Sequence, residues 1–216
     1  MELPHILGYV REMQRTEGEH SYPKNLMTLS RHDLEALGQR YLNETAAYHQ
    51  NAPYFVDKMP NNFMHVGLIH CMLPNALFID TRRHPMACCF SIYKQNFARG
   101  QTFSYDLSTL AAYYRGYLDV MDHWQSVLPG RVHRVIYESM VDDADTRIRA
   151  LLDHCGLPFE SQCLRFHENE RVVRTASASQ VRQPIYTSAK DHWRQFDTEL
   201  SPLTDALGDA LTTWTS

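Results

Sequence analysis

The sequence predicts an α/β fold, a mostly parallel sheet flanked by helices, and three observations carry that prediction. Residues 76–79, Ala-Leu-Phe-Ile, form an apolar run without polar alternation, the pattern of a strand covered on both faces in a parallel sheet. The run passes through Arg82 and Arg83 into a breaker-free stretch that opens on Pro85. A proline suits the first turn of a helix, where the missing N–H has no partner to lose. Residues 106–128 then carry apolar side chains at helical spacing and lead into VHRVIY at 132–137, a second strand-like run. Strands alternating with helices indicate parallel pairing through crossover connections.

The elements follow in chain order. Leu3, Ile6, Leu7, Val10 and Met13 recur at helical spacing and predict a short amphipathic helix ending near Gly18. After a polar loop, Ser30 with Asp33 three residues later resembles a weakened capping box. It opens a helix whose inner face carries Leu34, Leu37, Tyr41 and Tyr48. Tyr54, Phe55 and Val56 predict a short strand with Asp57 and Lys58 at its carboxyl end, and Pro60 with Asn61-Asn62 turns the chain into a helix over 63–72. Two strands joined by that helix would make a βαβ unit, and its right-handed crossover would bring Lys58 and Arg83 to one rim. Two cations on one rim suit a polyanionic ligand.

The helix over 86–95 puts Ser91 on the face of His84, Ala87 or Cys88, and Gln95. The stripe over 106–128 ends at Pro129-Gly130, and its tyrosines and Trp124 keep the helical period closely enough to read as core. After the strand at 132–137, a helix over 142–155 turns Ile148, Leu151 and Leu152 inward and stops at Gly156. Residues 159–191 lack strong periodicity, the profile of a functional flap or a poorly ordered loop. Leu200, Leu203, Leu207, Leu211 and Trp214 define a closing helix.

Length and composition narrow the function. A chain of 216 residues buries one good-sized core, so a single domain over 1–216 is expected. A net charge of −4 without a long basic block argues against a nucleic-acid binder. No apolar run is long enough to span a bilayer, and MELPHILGYV has neither the basic lead nor the apolar core of a signal peptide. Five cysteines without CxxC spacing read as small core residues of a cytoplasmic protein, with a secreted form carrying one free thiol as the alternative. The histidines are scattered without metal-ligand spacing, so no metal site is expected.

In RHPMACCFS, an arginine (Arg83) stands two residues before a proline and eight before a serine (Ser91). This segment resembles the 3′-phosphate-binding segment of sulfotransferases that use 3′-phosphoadenosine-5′-phosphosulfate. It is most similar to the bacterial enzymes linked to tetratricopeptide repeats and more distantly similar to tyrosylprotein sulfotransferases. The resemblance implies a three-layer fold like that of P-loop nucleotide hydrolases, and sulfuryl transfer to a hydroxyl acceptor such as a protein tyrosine. It further implies that Arg83 and Ser91 clamp the 3′-phosphate. Lys58 in DKMPNNF would stand near the leaving phosphate, Tyr137 in VIYES would contact the nucleotide, and Ser177 would assist the leaving group. Ala178, Ser179, Gln180, Val181, Arg182, Gln183 and Pro184 would wrap the adenosine. His192 stands before Trp193, where the family has a stronger base, and Glu2 matches the family's acidic base.

The family's first strand and its Pro-Arg-Ser-Gly-Thr-Thr loop have no counterpart in these 216 residues. Such a loop of backbone N–H groups holds the 5′-phosphosulfate. The expectation is a half-site for the 3′-phosphate side with little or no turnover, and uncovered sheet edges that favour a homodimer. A catalytically silent binding module is therefore the second reading. A nucleotide-dependent kinase ranks below both, since no Walker loop accompanies the arginines.

Overall fold

The computed structural model describes residues 2–15, 22–49, 52–97, 100–169, 182–185 and 190–215. Contacts divide the chain into two compact units, Met1–Phe78 and Ile79–Ser216.

In the first unit, α1 (His5–Arg15), α2 (Arg31–His49) and α3 (Val66–Met72) gather Ile6, Tyr9, Val10, Tyr41, Leu68 and Met72 into one apolar cluster. α2 starts where the capping pair requires. Asp33 Oδ2 accepts from Ser30 N at 2.8 Å, and Ser30 Oγ accepts from Asp33 N at 3.2 Å. Of the four residues assigned to the inner face of α2, Tyr41 is buried and Tyr48 is exposed. Gly38 lets α2 approach α3: a Cβ there would lie 2.0 Å from the Met72 carbonyl oxygen. Ahead of α3, Pro60–His65 forms a 3-10 turn, so the helix foreseen over 63–72 is only partly α-helical.

The strand foreseen at Tyr54, Phe55 and Val56 is not part of the sheet. The backbone at 54–59 has strand-like alternation, with Phe55, Asp57 and Met59 turned inward and Tyr54, Val56 and Lys58 outward. Its inner side chains are spent on α2: the Phe55 ring stacks on His49 at 4.1 Å, and Asp57 Oδ2 accepts from Tyr41 Oη at 2.9 Å. The βαβ unit expected from Lys58 to Arg83 therefore does not form among the described residues.

The second unit contains the sheet, in which β1 (Phe78–Arg82) lies beside β2 (Val132–Ile136) in parallel. Between them run α4 (Pro85–Tyr93) and α5 (Leu107–Val127). After β2 come α6 (Tyr137–Asp142), α7 (Ala144–His154), α8 (Ser201–Leu207) and α9 (Ala210–Thr213). Asp106 caps α5 by accepting from Thr109 N at 2.8 Å, and Leu110, Ala111, Tyr114 and Leu118 enter a core with Cys89, Leu203 and Leu207. The helix foreseen over 142–155 is interrupted at Asp143, which instead caps α7. Gly156, at φ +65°, ends α7 in the left-handed conformation, and Leu157 N donates back to Leu152 O at 2.9 Å. The closing segment is two short helices, α8 and α9, broken at Gly208.

β1 departs from the expected aliphatic strand. It begins at Phe78, Leu77 and Ile79 remain 40% and 43% exposed, and the inward positions are Asp80 and Arg82. The charges are buried because they satisfy each other. Asp80 Oδ2 accepts from Arg82 Nη2 at 3.0 Å and lies 3.5 Å from Arg134 Nε, and Asp80 Oδ1 accepts from Tyr117 Oη. Arg82 Nη1 donates to Trp214 O at 2.6 Å, tying the chain's end to β1. Burial alone would lower the Arg82 pKa, but Asp80 and Tyr117 outweigh it and raise it. Among the described residues, no helix is long and apolar enough to cross a membrane.

Candidate functional site

The carboxyl end of β1 runs into α4 through Arg83 and His84, and side chains from three other parts of the second unit fix this corner. From α5, Tyr114 Oη donates to the Arg83 carbonyl at 2.8 Å. From α6, Glu138 Oε1 accepts from His84 N at 3.0 Å, and the Tyr137 ring lies 5.0 Å beneath the Arg83 guanidinium carbon. From the C-terminal segments, Trp193 stacks on the His84 ring at 5.4 Å and 14°, and Trp214 meets it edge-on at 5.6 Å.

This packing has electrostatic consequences. Burial pulls the His84 pKa below its ordinary value, against an opposing pull from Glu138, so the ring favours its neutral form between the two indoles. Burial also pushes the Cys88 thiol up to about 11, although Arg83 opposes the shift. Cys88 is therefore a protonated wall of the corner and no nucleophile.

Arg83 is half-buried, with its backbone pinned and its guanidinium seated on an aromatic face. Such a group offers a preset fork of donors to an oxyanion. Ser91 is exposed on α4, about one turn beyond Ala87 and Cys88. Tyr137 stands directly after β2. Two of the residues foreseen for nucleotide binding, Arg83 and Tyr137, are thus in contact, and Ser91 projects from the helix that Arg83 leads into.

His192 is exposed, with Nδ1 3.4 Å from Lys94 Nζ and its ring 5.8 Å from Phe90. Arg182, Gln183 and Pro184 are exposed. Ser177, Ala178, Ser179, Gln180 and Val181 lie outside the described residues. In the first unit, Glu2 and Lys58 form an ion pair between exposed side chains. The partner of Lys58 is Glu2 and not the adjacent Asp57. Asp57 instead holds the chain's start by accepting from Leu3 N at 3.2 Å.

Sequence reasoning assigned no role to Glu138 or to the Tyr114 hydroxyl. The one available signal was the adjacency of Glu138 to Tyr137 at a strand end. The Tyr114 hydroxyl gave none, because its ring follows the core periodicity of α5.

Comparison with known proteins identifies relatives. The sequence profile described as "Sulfotransferase family" matches residues 8–161. A protein of Aquifex aeolicus (strain VF5), described as uncharacterized, is 32% identical over 208 residues, covering 95% of this chain. The chain spans 27% of that relative's length. Among solved structures, the sulfotransferase domain from the curacin biosynthetic pathway aligns with a TM-score of 0.57 at 20% identity, over 89% of this chain and 80% of that one. The sulfotransferase domain from the Synechococcus PCC 7002 olefin synthase aligns with a TM-score of 0.59 at 19% identity, over 90% and 76%. These two likenesses establish the fold.

Proposed function

Because this chain belongs to the sulfotransferase family, we propose that its β1–α4 corner binds the 3′-phosphate side of 3′-phosphoadenosine-5′-phosphosulfate. The observation that carries this reading is the seating of Arg83: a half-buried guanidinium over the Tyr137 ring, with its backbone held by Tyr114 and Glu138. Ser91 adds a hydroxyl donor from the adjoining helix. In this reading Ala178, Ser179, Gln180, Val181, Arg182, Gln183 and Pro184 wrap the adenosine side, and His192 supplies a weakened contact to the nucleotide. The donor, when bound, supplies an electrophilic sulfuryl group on a good leaving group.

Glu2 is the base for an acceptor hydroxyl, Lys58 the cation for the leaving phosphate, and Ser177 its hydrogen-bonding aid. A tyrosine in a peptide is the proposed acceptor. Catalysis of this kind is mostly positioning and charge stabilisation. It needs a cradle of consecutive backbone N–H groups for the 5′-phosphosulfate, and no Pro-Arg-Ser-Gly-Thr-Thr run occurs in these 216 residues. The 216-residue chain alone is accordingly proposed to bind the nucleotide with little or no turnover. Its five unbridged cysteines support a cytoplasmic setting.

The test uses the donor labelled with ³⁵S in its sulfuryl group, incubated with the chain and a tyrosine peptide. The reading expects saturable binding displaced by adenosine 3′,5′-bisphosphate, with almost no label on the peptide. Binding that adenosine 3′,5′-bisphosphate fails to displace would overturn the nucleotide assignment. Rapid transfer to the peptide would overturn the claim of little turnover.

A further inference from the structure

We propose that Glu138 is a positioning residue: by accepting the His84 N–H it sets the Arg83–His84 turn so that the Arg83 guanidinium meets the nucleotide's 3′-phosphate. The inference rests on the nucleotide-binding reading above.

Two neighbouring residues act on Arg83 from one short helix. Tyr137 lies under its guanidinium at 5.0 Å, and Glu138 Oε1 holds the next backbone N–H at 3.0 Å. Side chain and backbone of the same arginine are thereby indexed to α6, while Tyr114 fixes the carbonyl between them at 2.8 Å. A cation whose backbone could rock about β1 would lose the alignment that makes a guanidinium fork specific for an oxyanion.

The placement of the carboxylate argues against a general surface role. Glu138 is half-buried, and its Oε2 is inaccessible with no hydrogen-bond partner among the described residues, so the hydrogen bond of Oε1 to His84 N is the contact that places the group. Lys190, hydrogen-bonded to Asp142, also feels Glu138, and Arg83 and Glu138 act in opposite senses on the Cys88 thiol.

A carboxylate near an anion site also weakens that site by its charge, and the two effects separate by substitution. Glu138→Gln keeps a carbonyl oxygen for the His84 N–H and removes the charge, whereas Glu138→Ala removes both. The measurement is isothermal titration of the whole chain with adenosine 3′,5′-bisphosphate and with adenosine 5′-monophosphate, read as the ratio of the two affinities. Glu138→Ala should lower that ratio by about tenfold, leaving the monophosphate affinity nearly unchanged, while Glu138→Gln keeps or raises the ratio.

The proposal is overturned if Glu138→Ala keeps the wild-type ratio, if both variants raise it, or if Glu138→Gln loses as much as Glu138→Ala. If Glu138→Ala does not fold, Glu138→Met, of similar bulk and without an acceptor, is read in its place. A wild-type chain with no preference for the bisphosphate would sink the nucleotide reading itself, an outcome separate from every loss confined to the variants.

Discussion

Along β1, Asp80 and Arg82 turn inward while Ile79 and Thr81 face out, so a strand that began as an aliphatic run ends by burying a charge pair. Each charge is costly without the other. Asp80→Ala strands Arg82 in the core and should destabilise the second unit by about 3–5 kcal/mol, measured by urea denaturation. The double variant Asp80→Leu with Arg82→Met should recover much of that loss, because apolar residues of similar bulk replace both charges. One residue further, Arg83 is half-buried and carries the proposed binding role. Ser91→Ala removes one neutral donor and should weaken adenosine 3′,5′-bisphosphate binding by up to about tenfold, a loss of about 0.5–1.5 kcal/mol in titration calorimetry.

Between elements, the closest approach in the first unit is α2 against α3 at Gly38. Gly38→Ala would drive a methyl into the Met72 carbonyl, where the space is 2.0 Å, and should cost about 1–3 kcal/mol in a denaturant melt of that unit. The long helices were legible in the sequence because their signals are local: α5 carries its period, its Asp106 cap and its Pro129-Gly130 stop within one stretch. The segment at 54–56 shows the limit of such signals. Its alternation is real, but membership of a sheet depends on a neighbouring strand, which no local pattern reports. The bond that gives Glu138 its place was illegible for the same reason, since its partner His84 lies 54 residues away.

For the molecule as a whole, buried His65 and half-buried His84 make stability fall with acid near neutral pH. Burial lowers the pKa of His65 in the first unit and of His84 in the second below the ordinary 6.5. The unfolded chain therefore binds more protons as pH falls through about 6.5, and the stability these residues contribute, fully present above that value, is lost on acidification. Urea midpoints should fall between pH 7.5 and pH 5.5, and His84→Phe, if it folds, should flatten the fall for the second unit. The proposed function depends at this scale on one discrimination, between nucleotides with and without a 3′-phosphate. The most direct measurement is calorimetric titration of the wild-type and Arg83→Ala chains with adenosine 3′,5′-bisphosphate and adenosine 5′-monophosphate. A charge-assisted contact of about 1.5–3 kcal/mol predicts a wild-type preference for the bisphosphate of about tenfold to a hundredfold, abolished in Arg83→Ala. Equal affinity of the wild-type chain for the two nucleotides, or a preference that survives the loss of Arg83, would contradict the account.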